Sequence, residues 1–157
     1  PEVFTPKPEF SMDWYYPILG GAVRGPDAHE RIRERWSDFV VDGLGIRCVD
    51  HRPWVTGAET CELVLALDCL GDSARAHELF AAMQHLRDPD GSYWTGLVYS
   101  DGKRWPVEVS SWTSAAVILA ADALSRTTRG NGVFRDAAAP THVAGADRCT
   151  ENCPVLV

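Results

Sequence analysis

Apolar positions along this chain alternate between two styles. From Asp27 to about Val41, Ile32, Trp36, Phe39 and Val40 fall at i, i+4, i+7 and i+8, opposite a face of Glu30, Arg31, Arg33, Glu34 and Arg35. That is a one-sided helix, with Asp27 as its cap. From Ala58 to Leu70 the run Leu63-Val64-Leu65-Ala66-Leu67 is apolar on nearly every side, which predicts a helix buried on both flanks. Asp72 then opens another one-sided helix, striped by Ala76, Leu79, Phe80, Met83 and Leu86. A second all-round helix, Trp112 to Leu124, is capped by Ser110 or Ser111. Ahead of these, Pro17 opens a short helix ended by Gly25-Pro26, or the helix begins at Ser11 and kinks at Pro17.

The two all-round helices also share a pattern. Ala66-Leu67-Asp68-Cys69-Leu70 matches Ala120-Ala121-Asp122-Ala123-Leu124 at an offset of 54 residues. A hairpin repeat of that length must stack on copies of itself to bury its surface. The order one-sided, all-round, one-sided, all-round predicts an all-α fold, an α/α toroid of which this chain supplies a partial barrel of about three helical hairpins. A full ring of six needs on the order of 300 residues, so an N-terminal half, a partner chain or self-association is expected to complete it and cover its apolar edges. The domain reading is an extended lead-in over 1–10, the toroid domain over 11–135, and an irregular or disordered tail over 136–157. Within the segment from Asp88 to Ser111, a short hairpin is expected with Asp101-Gly102 as its turn.

Loops entering the inner helices of such an arrangement share one mouth, and here they carry Asp13, Glu59 and Glu108 as candidate acid, base or nucleophile. Each has a structural alternative. Asp13 can complement a helix dipole, Glu59 completes a capping box with Thr56, and Glu108 can pair with Arg104 or Lys103. Trp14, Tyr15, Tyr16, Trp54, Trp94, Trp105 and Trp112 are the candidate substrate-binding aromatics; such a wall stabilises a carbocation or stacks on sugar rings. Glu62 and Asp68 read as helix-surface or inter-helix hydrogen-bonding residues, His51 as a loop histidine, and His77 and His85 as solvated.

Composition narrows the classes. The chain has 157 residues, 45% hydrophobic and 24% charged, with a formal net charge of -7 and no basic stripe, which argues for a globular domain without a nucleic-acid partner. No apolar run approaches the roughly 18 residues of a membrane span, and the start lacks the features of a signal peptide, so a soluble, cytoplasmic protein is expected. The absence of an initiator Met indicates processing, trimming or a piece of a longer protein. Five cysteines imply no disulfide framework. Cys48, His51 and the Cys149/Cys153 pair do not make up the four convergent ligands of zinc, and no metal site is expected. No cofactor is specified.

Met12-Asp13-Trp14-Tyr15-Tyr16-Pro17, Trp54-Val55-Thr56-Gly57-Ala58-Glu59 and the stretch from Met83 to Trp94 resemble actinobacterial proteins described as prenyltransferase or squalene-cyclase-like, similar to the (α/α)6 toroids of terpenoid cyclases and protein prenyltransferases. This resemblance implies an isoprenoid-type substrate held in an aromatic cavity. Two readings stand beside it. One is a carbohydrate-active α/α barrel of glycoside hydrolase type, with two of Asp13, Glu59 and Glu108 flanking a glycosidic bond and tryptophans stacking on sugars. The other is a binding half-barrel without catalysis.

Overall fold

The structure, a computed structural model, describes residues 5–135. The first four residues and the expected tail with Cys149 and Cys153 lie outside the described residues. Among the described residues five α-helices form: α1 (Ser11–Leu19), α2 (Gly25–Phe39), α3 (Gly57–Cys69), α4 (Ser73–Ala82, continued as a 3-10 turn through Leu86) and α5 (Ser111–Ser125). Between them run β1 (Val40–Val41), β2 (Gly45–Arg47), β3 (Trp54–Thr56), β4 (Gly96–Val98) and β5 (Lys103–Arg104). These pair antiparallel in the order β1-β2-β3-β4-β5.

The sheet corrects the all-α expectation. This is a mixed α/β fold, and the α/α-toroid description, with its partial barrel of helical hairpins, does not hold. The physical reason is length: strands of two or three residues are too short to show alternation, and β1 takes up the last two residues of the stretch read as helix to Val41 while β2 and β3 lie in the segment read as a loop. The hairpin around Asp101-Gly102 does form, with Val98 opposite Lys103. Of the two readings for the first helix the second is the one observed, while the start of the next helix differs from expectation. Helix α1 begins at Ser11 and contains Pro17, and α2 begins at Gly25 with Pro26 in its first turn, so Asp27 lies inside the helix rather than capping it.

Helix α3 is the centre of the packing. Ten of its thirteen residues are buried, and the three that are not are Glu59, Glu62 and Cys69. Helices α1, α4 and α5 and strand β2 enclose it. Helices α1, α3 and α5 begin at the same end of the molecule. The Ser11 amide donates to the Cys48 carbonyl at 3.0 Å, and a Cβ on Gly57 would lie 2.8 Å from Thr113 Cγ2. At the far end, the buried Asp68 carboxylate binds Arg126 at 2.7 Å and also Arg135. Gly57 is therefore required by the close approach of α5, since any side chain there meets Thr113.

Sheet and helix are joined through Thr60, whose hydroxyl accepts from the Ile46 amide at 3.0 Å and donates to the Thr56 carbonyl at 2.5 Å. Gly45, with φ +120°, leaves room for that hydroxyl; a Cβ would lie 2.6 Å from it. Thr60→Val leaves the buried Ile46 amide without an acceptor, so a loss of about 1–3 kcal/mol is expected in chemical denaturation. A change within about 0.5 kcal/mol, the range of neutral surface substitutions, contradicts this role.

Candidate active site

Glu59 and Glu62, one helical turn apart, lie with Cys69 on the one stripe of α3 that is not buried. Glu62 is half-buried, and the helix beside it supplies its partners: the Tyr15 hydroxyl donates to Oε2 at 2.6 Å and the Tyr16 hydroxyl to Oε1 at 3.4 Å. Tyr15 is fully buried, whereas Tyr16 is 41% exposed. The carboxyl of Glu62 is held above the ordinary glutamate range, first by desolvation and then by the charge of Glu59, against the opposing pull of the tyrosine hydrogen bonds. Burial and the neighbouring glutamates also raise both phenols, Tyr16 to about 12, and push the Cys48 thiol up to about 12. At neutral pH these phenols and this thiol are proton donors rather than anions.

Glu62 opens onto a cavity of about 430 Å³ lined by Tyr16, Leu19, Leu65, Trp112, Leu119 and Phe134, among others. Apart from Glu62 and the Tyr16 hydroxyl its walls are apolar, and the first turn of α5 holds Trp112, 65% exposed, at its rim. Tyr16 has a second role. It also borders a neighbouring groove of about 710 Å³ formed with Lys7, Phe10, Met12, Asp13 and Pro17, so Asp13 and Glu62 stand on adjoining depressions with Tyr16 between them.

The other candidates are distributed as follows. Glu59 is free of the expected capping box, because Thr56 makes no side-chain cap and its hydroxyl has no partner. Its charge acts on Glu62 and Cys48 instead. Glu108 precedes α5, accepts from the Thr95 hydroxyl at 3.2 Å, and is not paired with Arg104 or Lys103, which bind the His85 carbonyl and Asp101. Trp14 is buried, stacked on Phe39 at 5.3 Å between ring centroids, with its indole donating to the Arg31 carbonyl. Trp94 is partly buried and donates to Asp88. Trp54 and Trp105 meet edge to face at 4.8 Å, away from the Glu62 cavity. His85 is half-buried and its Nε2 donates to the Leu44 carbonyl at 2.9 Å, rather than standing in solvent.

Glu62 itself escaped the sequence reading as a site residue. The signal was present: in a helix apolar on every side, two carboxylates at i and i+3 must share one face, and that face must be open. Among the described residues no group of three or more His, Cys, Asp or Glu side chains converges as metal ligands, and no helix is long and apolar enough to cross a membrane.

No established sequence family matches the chain as a whole. Among characterised proteins, it is similar to a glycosidase. That relative is the MMP endo-(1,4)-3-O-methyl-alpha-D-mannosidase of Mycolicibacterium hassiacum, 69% identical over 149 residues that cover 95% of this chain and 42% of the relative. The chain thus spans less than half the length of the curated relative it matches. This likeness, together with the antiparallel sheet, overturns the resemblance to prenyltransferases and squalene cyclases, and with it the isoprenoid substrate and transferase reading.

Because the folded chain holds Glu62 protonated more readily than the unfolded chain does, its stabilising contribution is complete below the ordinary glutamate value of 4.5 and is lost as pH rises through the raised value. The Tm advantage of the native chain over Glu62→Gln is therefore expected to shrink across that window and then level off. An advantage that stays constant or grows with pH contradicts the assignment.

Proposed function

We propose that the chain carries the acid side of a glycoside hydrolase site acting on an α-(1,4)-linked mannoside, with Glu62 as general acid. The observation that carries this reading is the half-buried Glu62 carboxyl, oriented by two tyrosine hydroxyls and with its proton affinity raised by burial, at the mouth of an apolar, tryptophan-rimmed cavity. A carboxylic acid with a raised pKa delivers a proton to the departing glycosidic oxygen and so removes the need to expel an alkoxide. The name of the mannosidase relative supports the substrate class.

Roles for the other residues follow from position. Tyr16 and Trp112 offer aromatic surfaces at the cavity rim for the C–H faces of sugar rings. Glu59, on the same helix face as Glu62, is unsuited to reach the opposite side of a sugar; its negative charge favours the protonated form of Glu62. Asp13, on the far side of Tyr16, is the carboxylate we assign to the anomeric centre, acting directly or through water. In this reading residues 11–135 form the unit that bears the site, and Glu108, Trp54, Trp94 and Trp105 lie outside the cavity lining.

Glu62→Gln is expected to lower kcat on an α-(1,4)-mannoside about a hundred- to ten-thousandfold with little change in KM. Tyr15→Phe removes a hydrogen bond that favours the charged form, so the alkaline limb of the pH–rate profile moves to higher pH. Asp13→Asn lowers kcat while leaving that limb in place. Full activity in Glu62→Gln, or an alkaline limb unmoved by Tyr15→Phe, removes Glu62 from the acid role.

A further inference from the structure

Apart from the cavity beside Glu62, the sheet carries a groove of about 430 Å³ lined by Val49, Arg52, Pro53, Trp54, Val98 and Trp105. Val55 is buried in the core, so alternation along β3 turns Trp54 outward, opposite Val98 of β4. Two features hold the Trp54 indole in place. Its Nε1 donates to the Trp105 carbonyl at 2.7 Å, and a Cβ on Gly96 would collide with it, so the ring lies across a position where only glycine leaves room. Trp105 meets it edge to face at 4.8 Å and is itself 56% exposed. Aromatic rings that are both fixed in orientation and left open to solvent are the anchors of a binding surface rather than of a core.

The groove divides its chemistry as a pyranose does. A sugar ring has a flat C–H face and a rim of hydroxyls; the indoles offer an apolar floor for the first, and the exposed Arg52 guanidinium brings N–H donors to the edge for the second. The groove also leads toward Glu62. From Trp105 the chain runs beside β4, where the Thr95 amide donates to the Glu108 carbonyl at 3.2 Å, and then enters α5, whose first turn holds Trp112 at the rim of the Glu62 cavity. Val107, 81% exposed, and Val109 keep apolar surface open between the two tryptophans. We infer that the groove of Trp54 and Trp105 is a distal sugar subsite, which receives a pyranose beyond those held at Glu62 in the same oligomer, its ring on the indoles and its hydroxyls toward Arg52. This rests on the glycosidase reading given above and adds to it a site remote from the reacting bond.

The test titrates α-(1,4)-linked mannose oligomers of two and of six units calorimetrically against the native chain, Trp105→Ala, Arg52→Gln and Ile118→Ala, each shown to be folded by circular dichroism. The native chain is expected to bind the longer oligomer about thirtyfold more tightly than the shorter. Trp105→Ala, which keeps the carbonyl that Trp54 needs, lowers that advantage about tenfold, and Arg52→Gln lowers it less; neither changes affinity for the two-unit oligomer. Ile118 is 68% exposed and lines neither depression, so Ile118→Ala preserves the advantage. Equal affinity of the native chain for the two lengths, or an advantage that survives Trp105→Ala, overturns the distal subsite and leaves the glycosidase reading intact. Self-association of the native chain that Trp105→Ala abolishes, with no dependence on oligomer length, gives the groove to a second copy and overturns the subsite as well. Failure of both oligomers to bind the native chain overturns the subsite and the glycosidase reading together.

Discussion

Enclosure of helix α3 is the constraint on which the rest of the structure depends. A helix apolar on every side has to be covered on every side, and α1, α4, α5 and strand β2 cover it except along the stripe of Glu59, Glu62 and Cys69. The carboxylates cannot turn inward without partners, so the stripe that carries them is where the packing has to open. The opening is the cavity, and the helix next to it supplies Tyr15 and Tyr16 as the donors that a half-buried carboxyl requires. Core packing and site geometry are thus consequences of one arrangement, with desolvation raising the affinity of Glu62 for its proton.

The short sheet serves this arrangement rather than forming a second layer. Strands β2 and β3 bracket the start of α3, and Thr60 ties the helix to Ile46 across a gap that only a glycine at position 45 leaves open. Strand β3 runs directly into α3, which fixes the first turn bearing Glu59. At the other end of the helix, Asp68 is held by Arg126 and Arg135, and Arg126 adopts φ +59° as it closes α5. A left-handed backbone at a residue other than glycine is unfavourable alone, and the buried carboxylate partner offsets it.

Much of the helical content was legible because five-residue apolar runs and i, i+4, i+7 stripes survive any tertiary context. Ser110 caps α5 and Asp72 caps α4, as their side-chain chemistry implies. Of the sheet only the hairpin turning at Asp101-Gly102 was legible; strands such as Val40–Val41 and Gly45–Arg47 are too short to show alternation. The fate of Thr56 was not legible. Its sequence context fits a capping box, but the β3 backbone that positions it leaves its hydroxyl without a partner and releases Glu59 toward Cys48 and Glu62. The site carboxylate Glu62 was hidden by the same helix that reveals it, because an acidic residue in an apolar helix reads as a helix-surface or hydrogen-bonding position until the helices around it are placed.

The most direct test is to observe the Glu62 carboxyl itself through its side-chain carbon resonance in a pH titration of the folded chain. The account predicts a midpoint above the ordinary glutamate value of 4.5, lowered toward it by Glu59→Gln and raised further by Tyr15→Phe. A midpoint at or below 4.5 contradicts it, for then the carboxyl at the cavity mouth holds no proton to give.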